Sequence, residues 1–128
     1  MNDFNEPNTM KVATANSGKP WVATVYFVEY GGKYYWLSEP HRRHSKELEQ
    51  NPKCAIAIVI KSDMPVVGLQ AEGTAKQMDD LKVIAKIKPK YIKKYGIGKH
   101  FLDRAKKGIN KHKLYEFTPK NVKIFDES

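Results

Sequence analysis

The 128-residue sequence predicts a mainly β domain of α+β type, with antiparallel strands as its body and helices at its periphery. Three observations lead there. Runs of β-branched and aromatic residues recur at short intervals, a Gly-Gly dipeptide separates two of them, and stretches with helical spacing interrupt the series in only two places.

The first strand is Lys11 to Asn16, KVATAN, closed by the turn-forming Ser17-Gly18-Lys19-Pro20. PWVATVYFVEY then reads as one strand from Pro20 to Tyr30. Trp21, Ala23, Val25, Phe27 and Glu29 share one face, and Val22, Thr24, Tyr26, Val28 and Tyr30 the other. Because both faces are mostly apolar, the strand is expected to be covered on both sides. Gly31-Gly32 supplies the positive φ values of a tight hairpin turn, and KYYWLS returns as the partner strand.

Ser38-Glu39-Pro40 stops that strand and can start a helix, since serine accepts from free backbone N–H groups and proline is tolerated in a first turn. The helix is expected over His41 to Gln50, ended by Asn51-Pro52. KCAIAIVI is a buried strand, and after the break at Asp63-Met64-Pro65 a long strand, VVGLQAEGTAKQM, carries Gly68 and Gly73 as bulges or bends. Asp79-Asp80 opens a helix with Leu81, Ile84 and Ile87 at helical spacing and a stop near Pro89. A second helical piece holds Tyr91, Ile92 and Tyr95 and breaks at Gly96-Ile97-Gly98; a third holds Phe101, Leu102 and Ala105 and closes at Gly108. KLYEFT and NVKIF, separated by Pro119-Lys120-Asn121, are two short closing strands.

The length suits a single domain over residues 1–128, with a loose segment at 1–9 and a basic helical insertion at 80–112. Cys54 is the only cysteine and lies in an apolar run, which excludes a disulfide framework and points to a reducing, cytoplasmic setting. The polar start MNDFNEPNTM has no apolar core of a signal peptide, and no apolar run is long enough to span a membrane, so a soluble protein is expected. The charge is uneven: Lys82 to Lys113 holds 12 of the 23 lysines and arginines and one acid, Asp103. That segment reads either as a solvated helical face or as a surface that docks phosphates or nucleic acid, with Tyr91, Tyr95 and Phe101 available to stack bases.

Catalytic templates are absent: no Walker-type loop, no GxSxG, no HExxH and no paired cysteines. His41 and His44 would share a helix face as metal ligands, but no further ligand follows at a metal-site spacing, so no metal is expected. The corner HRRHSKEL is better suited to an anion. A helix start exposes unpaired N–H groups and the positive end of the peptide dipoles, and Arg42, Arg43, Ser45 and Lys46 place donors beside them. The competing reading pairs Arg43 with Glu47 one turn on.

The ordered series PWVATVYFVEYGGKYYWLS, HRRHSKELEQNP, CAIAIVI, LQAEGTA and LYEFTPKNVKIF resembles the FMN-binding split β-barrel of the pyridoxamine 5′-phosphate oxidase-like superfamily, from about Met10 to Asp126. The resemblance implies a six- to seven-stranded antiparallel split barrel with peripheral helices. It implies an isoalloxazine ring along Thr24, Val25 and Tyr26, flavin contacts from Leu37 and Ser38, and a phosphate held by Arg43 and His44 at the helix start, with Ser45 beside them. Family members often carry lysine at the position of His44, so phosphate binding through an imidazole is expected to depend on pH. The resemblance also implies a homodimer with flavin at the subunit interface, passing hydride or electrons between FMN and a small substrate; no catalytic residue is assigned. LYEFTPKNVKIFDES lacks the Arg- and His-bearing ending of true pyridoxamine phosphate oxidases, so vitamin B6 chemistry is not expected. A deazaflavin or haem in the same groove is the alternative within the fold, and a non-enzymatic nucleic-acid module using Lys82 to Lys113 is the alternative outside it.

Overall fold

The computed structural model describes residues 9–61, 63, 66–95 and 112–126. In chain order it contains β1 (Thr9–Asn16), β2 (Lys19–Tyr26), β3 (Val28–Tyr30), β4 (Lys33–Ser38), α1 (Arg43–Gln50), β5 (Lys53–Lys61), β6 (Val67–Gln77), α2 (Leu81–Tyr95) and β7 (Lys113–Asp126). The strands form one sheet in the order β2-β1-β5-β6-β7-β4-β3, every neighbouring pair antiparallel. β2 and β3 lie at opposite edges of this sheet yet only Phe27 separates them in the chain. The sheet must therefore curl until its two edges meet, which makes it the split barrel expected from the sequence.

The expected single strand from Pro20 to Tyr30 is thus two strands that change partner at Phe27: β2 pairs with β1, and β3 with β4. The run stays rich in β-branched and aromatic residues on both faces through this point, so the sequence pattern carries no sign of the switch. α2 secures it from outside. Tyr91 Oη donates to the Tyr26 carbonyl at 3.3 Å and Lys94 Nζ to the Phe27 carbonyl at 2.9 Å. Nor is β2 covered on both sides as expected. As an edge strand it buries Val25, while Trp21, Val22 and Tyr26 are 41%, 57% and 55% exposed.

The turn at Gly31-Gly32 takes φ values of 61° and 80°, as a two-residue hairpin between right-twisting strands requires. Inside the curl, Met10, Val12, Trp36, Ile56, Ile58 and Phe117 form the main core. A second cluster on the back of β4 and β7 is closed by α2, which presses Ile87 and Tyr91 onto Val28, Tyr35, Leu37 and Leu114. Tyr91 is consequently buried rather than displayed. Each such side chain contributes about 1.5–3 kcal/mol through removal from water.

Asp80 caps α2, its Oδ1 accepting from Lys82 N–H at 2.9 Å. The expected stop at Pro89 does not occur: the proline lies inside α2, which runs to Tyr95. Proline removes one helical hydrogen bond and crowds the preceding turn. Ile87 and Tyr91, anchored in the core on either side of it, hold the helix through that cost. The expected breaks and helix between Gly96 and Gly108 lie outside the described residues. The two expected closing strands are a single β7, because Lys120 is accommodated as an extra residue where the register with β6 shifts between Glu72 and Gly73. Gly73 permits this. A Cβ there would stand 2.1 Å from the Thr118 carbonyl oxygen. Cys54 faces the core, and burial pushes its thiol up to about 12. No described helix is long and apolar enough to cross a membrane.

Candidate functional site

β2 turns its outer residues toward the end of β4 and the start of α1, and the space between them is a groove of about 510 Å³. Its long wall is Trp21 to Tyr26; Leu37 and Ser38 close one side, and Arg42, Arg43 and His44 close the end. Seven of the eight residues singled out in the sequence, Thr24, Val25, Tyr26, Leu37, Ser38, Arg43 and His44, therefore line one cavity. Ser45 does not line it. It is buried behind the wall, with its Oγ 3.5 Å from Ser38 Oγ.

The helix begins two residues later than expected, at Arg43, with Arg42 as its extended N-cap residue and no side chain capping it. Ser38 does not start the helix. It ends β4, and its hydroxyl shares a 2.9 Å hydrogen bond with His44 Nε2. The first-turn N–H groups of α1 thus lack a side-chain cap, as suits an anion site. Lys46 is exposed on the next turn and faces a different hollow, with His41 and Glu49.

Arg43 is held by two neighbours. Its Nε donates to Glu47 Oε2 at 2.9 Å, and its guanidinium carbon lies 4.1 Å from the centre of the Trp21 ring. Glu47 is itself buried and accepts from Thr14 Oγ1 of β1. The pairing of Arg43 with Glu47 is therefore present, and it uses one of the five N–H donors of the guanidinium. Those two hydrogen bonds, from Thr14 and then Arg43, hold the Glu47 carboxyl below its ordinary range. Burial first, and the Arg42 charge second, lower the pKa of His44, against a smaller opposing effect of Glu47. His44 is accordingly a neutral imidazole at neutral pH. His41 turns the other way, to Glu39 at 3.3 Å, and Arg42 also approaches Glu39, at 3.6 Å. Among the described residues no three His, Cys, Asp or Glu side chains gather as a metal site.

Sequence reasoning missed Trp21, Glu39, Tyr91 and His112 as parts of this groove. Trp21 and Glu39 adjoin residues that were singled out, and an aromatic ring one strand away from an arginine is a recognisable stacking pair. Tyr91 and His112 arrive from elements far along the chain, where no local spacing marks them.

A curled seven-stranded antiparallel sheet flanked by two described helices, with this groove at its seam, defines the split-barrel class. Within that class the chain belongs to the family described as Pyridoxamine 5′-phosphate oxidase, whose sequence profile matches residues 1–126. A search of curated proteins finds no match. Solved structures share the fold at low identity. The haem storage protein HutZ of Vibrio cholerae superposes with a TM-score of 0.74 at 20% identity, over 96% of this chain and 88% of that one. An FAD-binding protein of Mesorhizobium loti superposes with 0.71 at 14% identity, over 98% and 90%. A haem binding protein of Mycobacterium smegmatis superposes with 0.72 at 19% identity, over 93% of this chain and 49% of that chain.

Proposed function

We propose that the chain is a flavoprotein that binds FMN in the groove between β2, β4 and α1 and passes hydride or electrons between it and a small substrate. The observation that carries this reading is the convergence of a flat strand wall, a hydroxyl and a basic helix start in one groove of about 510 Å³, a volume within the usual range of about 300–1,000 Å³ for small-molecule sites. The residues fit the group. Thr24, Val25 and Tyr26 offer an extended wall for a tricyclic ring, Leu37 and Ser38 an apolar and a polar contact, and Arg43 with the N–H groups of α1 a phosphate anchor. Bound FMN supplies the hydride or electron chemistry. The chain's own residues hold its phosphate, orient the ring against β2 and exclude water from one of its faces. The nucleic-acid reading is the weaker one, since buried Tyr91 is removed as a stacking surface.

The functional unit in this reading is a homodimer with the flavin at the interface. Its support is the outward face of β1, β2 and β5, where Ala13, Val22, Ala55 and Ala57 line a shallow apolar groove of about 520 Å³ that no other described residue of the chain covers. A second copy of that face would close it and enclose the exposed rings of Trp21 and Tyr26.

Haem is the second reading. The observation in its favour is the pair of imidazoles, His44 and His112, on the groove wall, in a fold that two proteins named for haem also adopt. Visible spectroscopy of the purified protein titrated with FMN and, separately, with haem distinguishes them. The flavin reading predicts saturable uptake with quenched flavin fluorescence. Stoichiometric haem binding with a sharp Soret band, and no FMN uptake, would replace it.

A further inference from the structure

Tyr26 lines the flavin groove, and the next residue, Phe27, points into a separate cavity of about 710 Å³ between α2 and the open end of the curled sheet. Phe27, Tyr34, Ile58, Ile60 and Leu69 form its walls. The Tyr34 ring stands 6.1 Å from Phe27 and 6.2 Å from Phe117, so this floor is continuous with the main core. Lys90, Lys93 and Lys94 line the other side, from one face of α2. Lys94 is engaged with Phe27, its Nζ 4.0 Å from the ring centre and donating to the backbone carbonyl. Lys90 sits at the rim, 4.9 Å from the centre of Tyr30. Glu29, the one carboxylate among the described lining residues, accepts the Gly32 N–H at 2.9 Å and so is tied into the hairpin turn. Burial, then the Glu29 charge, raises the pKa of Tyr34, so its phenol remains a donor.

We propose that this cavity binds a single-chain amphiphile with a carboxylate head, a long-chain fatty acid, with the acyl chain on the aliphatic floor and the head between Lys90 and Lys93. An aliphatic floor disfavours a ligand that is polar throughout, because its polar groups would be left unpaired. Among the described lining residues, three lysines against one carboxylate disfavour a cation and favour an anion at the mouth. The site is independent of the flavin groove, and its occupation does not require FMN.

Calorimetric titration of the full chain with dodecanoate, below its micellar concentration and with and without saturating FMN, tests this. One dodecanoate per chain is expected, undisplaced by FMN, with affinity falling roughly fourfold for each methylene removed toward octanoate. Dodecanol should bind at least about tenfold more weakly than dodecanoate, for want of a charge-assisted hydrogen bond. Dodecyltrimethylammonium should not bind. The double variant Lys90→Glu/Lys93→Glu, at exposed helix positions, should lose the preference for dodecanoate over dodecanol and keep its FMN affinity. Ile60→Trp, which reshapes the apolar floor beneath the acyl chain, should weaken dodecanoate and dodecanol alike. Absence of saturable dodecanoate binding, equal binding of acid and alcohol, an unchanged preference in the double variant, or displacement by FMN would each overturn the proposal.

Discussion

Arg43 and His44 sit side by side at the start of α1 and meet a phosphate in different ways. Arg43 is held by Glu47 and the Trp21 ring before any ligand arrives, so little side-chain freedom is lost when an anion binds. Arg43→Ala should weaken FMN binding by about 1.5–3 kcal/mol and leave riboflavin, which lacks the phosphate, nearly unaffected. Because its pair with Glu47 is half exposed on the arginine side, the variant's thermal stability should fall by about 1 kcal/mol or less. A parallel loss of riboflavin affinity would show that Arg43 acts on the ring side of the groove instead. His44 is neutral because burial and Arg42 disfavour its cation. A bound phosphate opposes both and raises the imidazole pKa, so binding takes up a proton. FMN affinity should therefore rise as pH falls from about 7.5 through the ordinary histidine value near 6.5. The free protein should behave oppositely and lose stability across that window, since the lowered pKa makes the folded state bind fewer protons than the unfolded chain. Replacing His44 by lysine should flatten the FMN profile over this range, measured against riboflavin as control. A profile unchanged by His44→Lys would place the titrating group elsewhere.

At the level of elements, local rules were legible and long-range partner changes were not. Gly31-Gly32, the helix opening at Asp79-Asp80 and the Asn51-Pro52 stop are each decided within four residues, and each was read correctly. Phe27 was not, because a run apolar on both faces looks the same whether its two halves pair with one strand or with two. Pro89 was misread as a helix end because propensity argues from the backbone alone, whereas Ile87 and Tyr91 pin α2 through tertiary packing. The two glycines of β6 are expected as bulges or bends, and they lie at register shifts, Gly68 paired with Val59 and Gly73 with Pro119, with the extra residues Ile60 and Lys120 on the partner strands. Their tolerances should differ. At Gly68 an added Cβ meets the Phe125 ring, a side chain that can rotate; at Gly73 it meets the Thr118 backbone, which cannot withdraw without breaking the sheet. Gly73→Ala should destabilise by about 3 kcal/mol, at the upper end for overpacking, and Gly68→Ala by about 1. Denaturant unfolding of both variants checks this, and equal costs would mean that β7 yields as easily as a side chain.

For the whole molecule, the groove's residues were legible to the extent that they lie near each other in sequence, at Thr24 to Tyr26, Leu37-Ser38 and Arg43-His44. The contributions of Tyr91 and His112 were not, since only the curl of the sheet brings them there. The exposed face of β2 has the same character. Its apolar residues suggested cover on both sides, and among the described residues of one chain that cover is missing; a second chain is the partner proposed for it. Ala57→Glu, placed in the shallow groove beside β1, should convert a two-chain species into single chains by light scattering and lower FMN affinity with it. A native protein of single-chain mass would remove the dimer from the account.

Whether FMN occupies the β2–β4–α1 groove with its phosphate at the helix start is measured by the crystal structure of the protein grown with saturating FMN. The phosphate is expected within hydrogen-bonding distance of Arg43 and the first N–H groups of α1, and the ring along Thr24, Val25 and Tyr26. FMN bound anywhere else, or a groove that stays empty at saturating FMN, would contradict it.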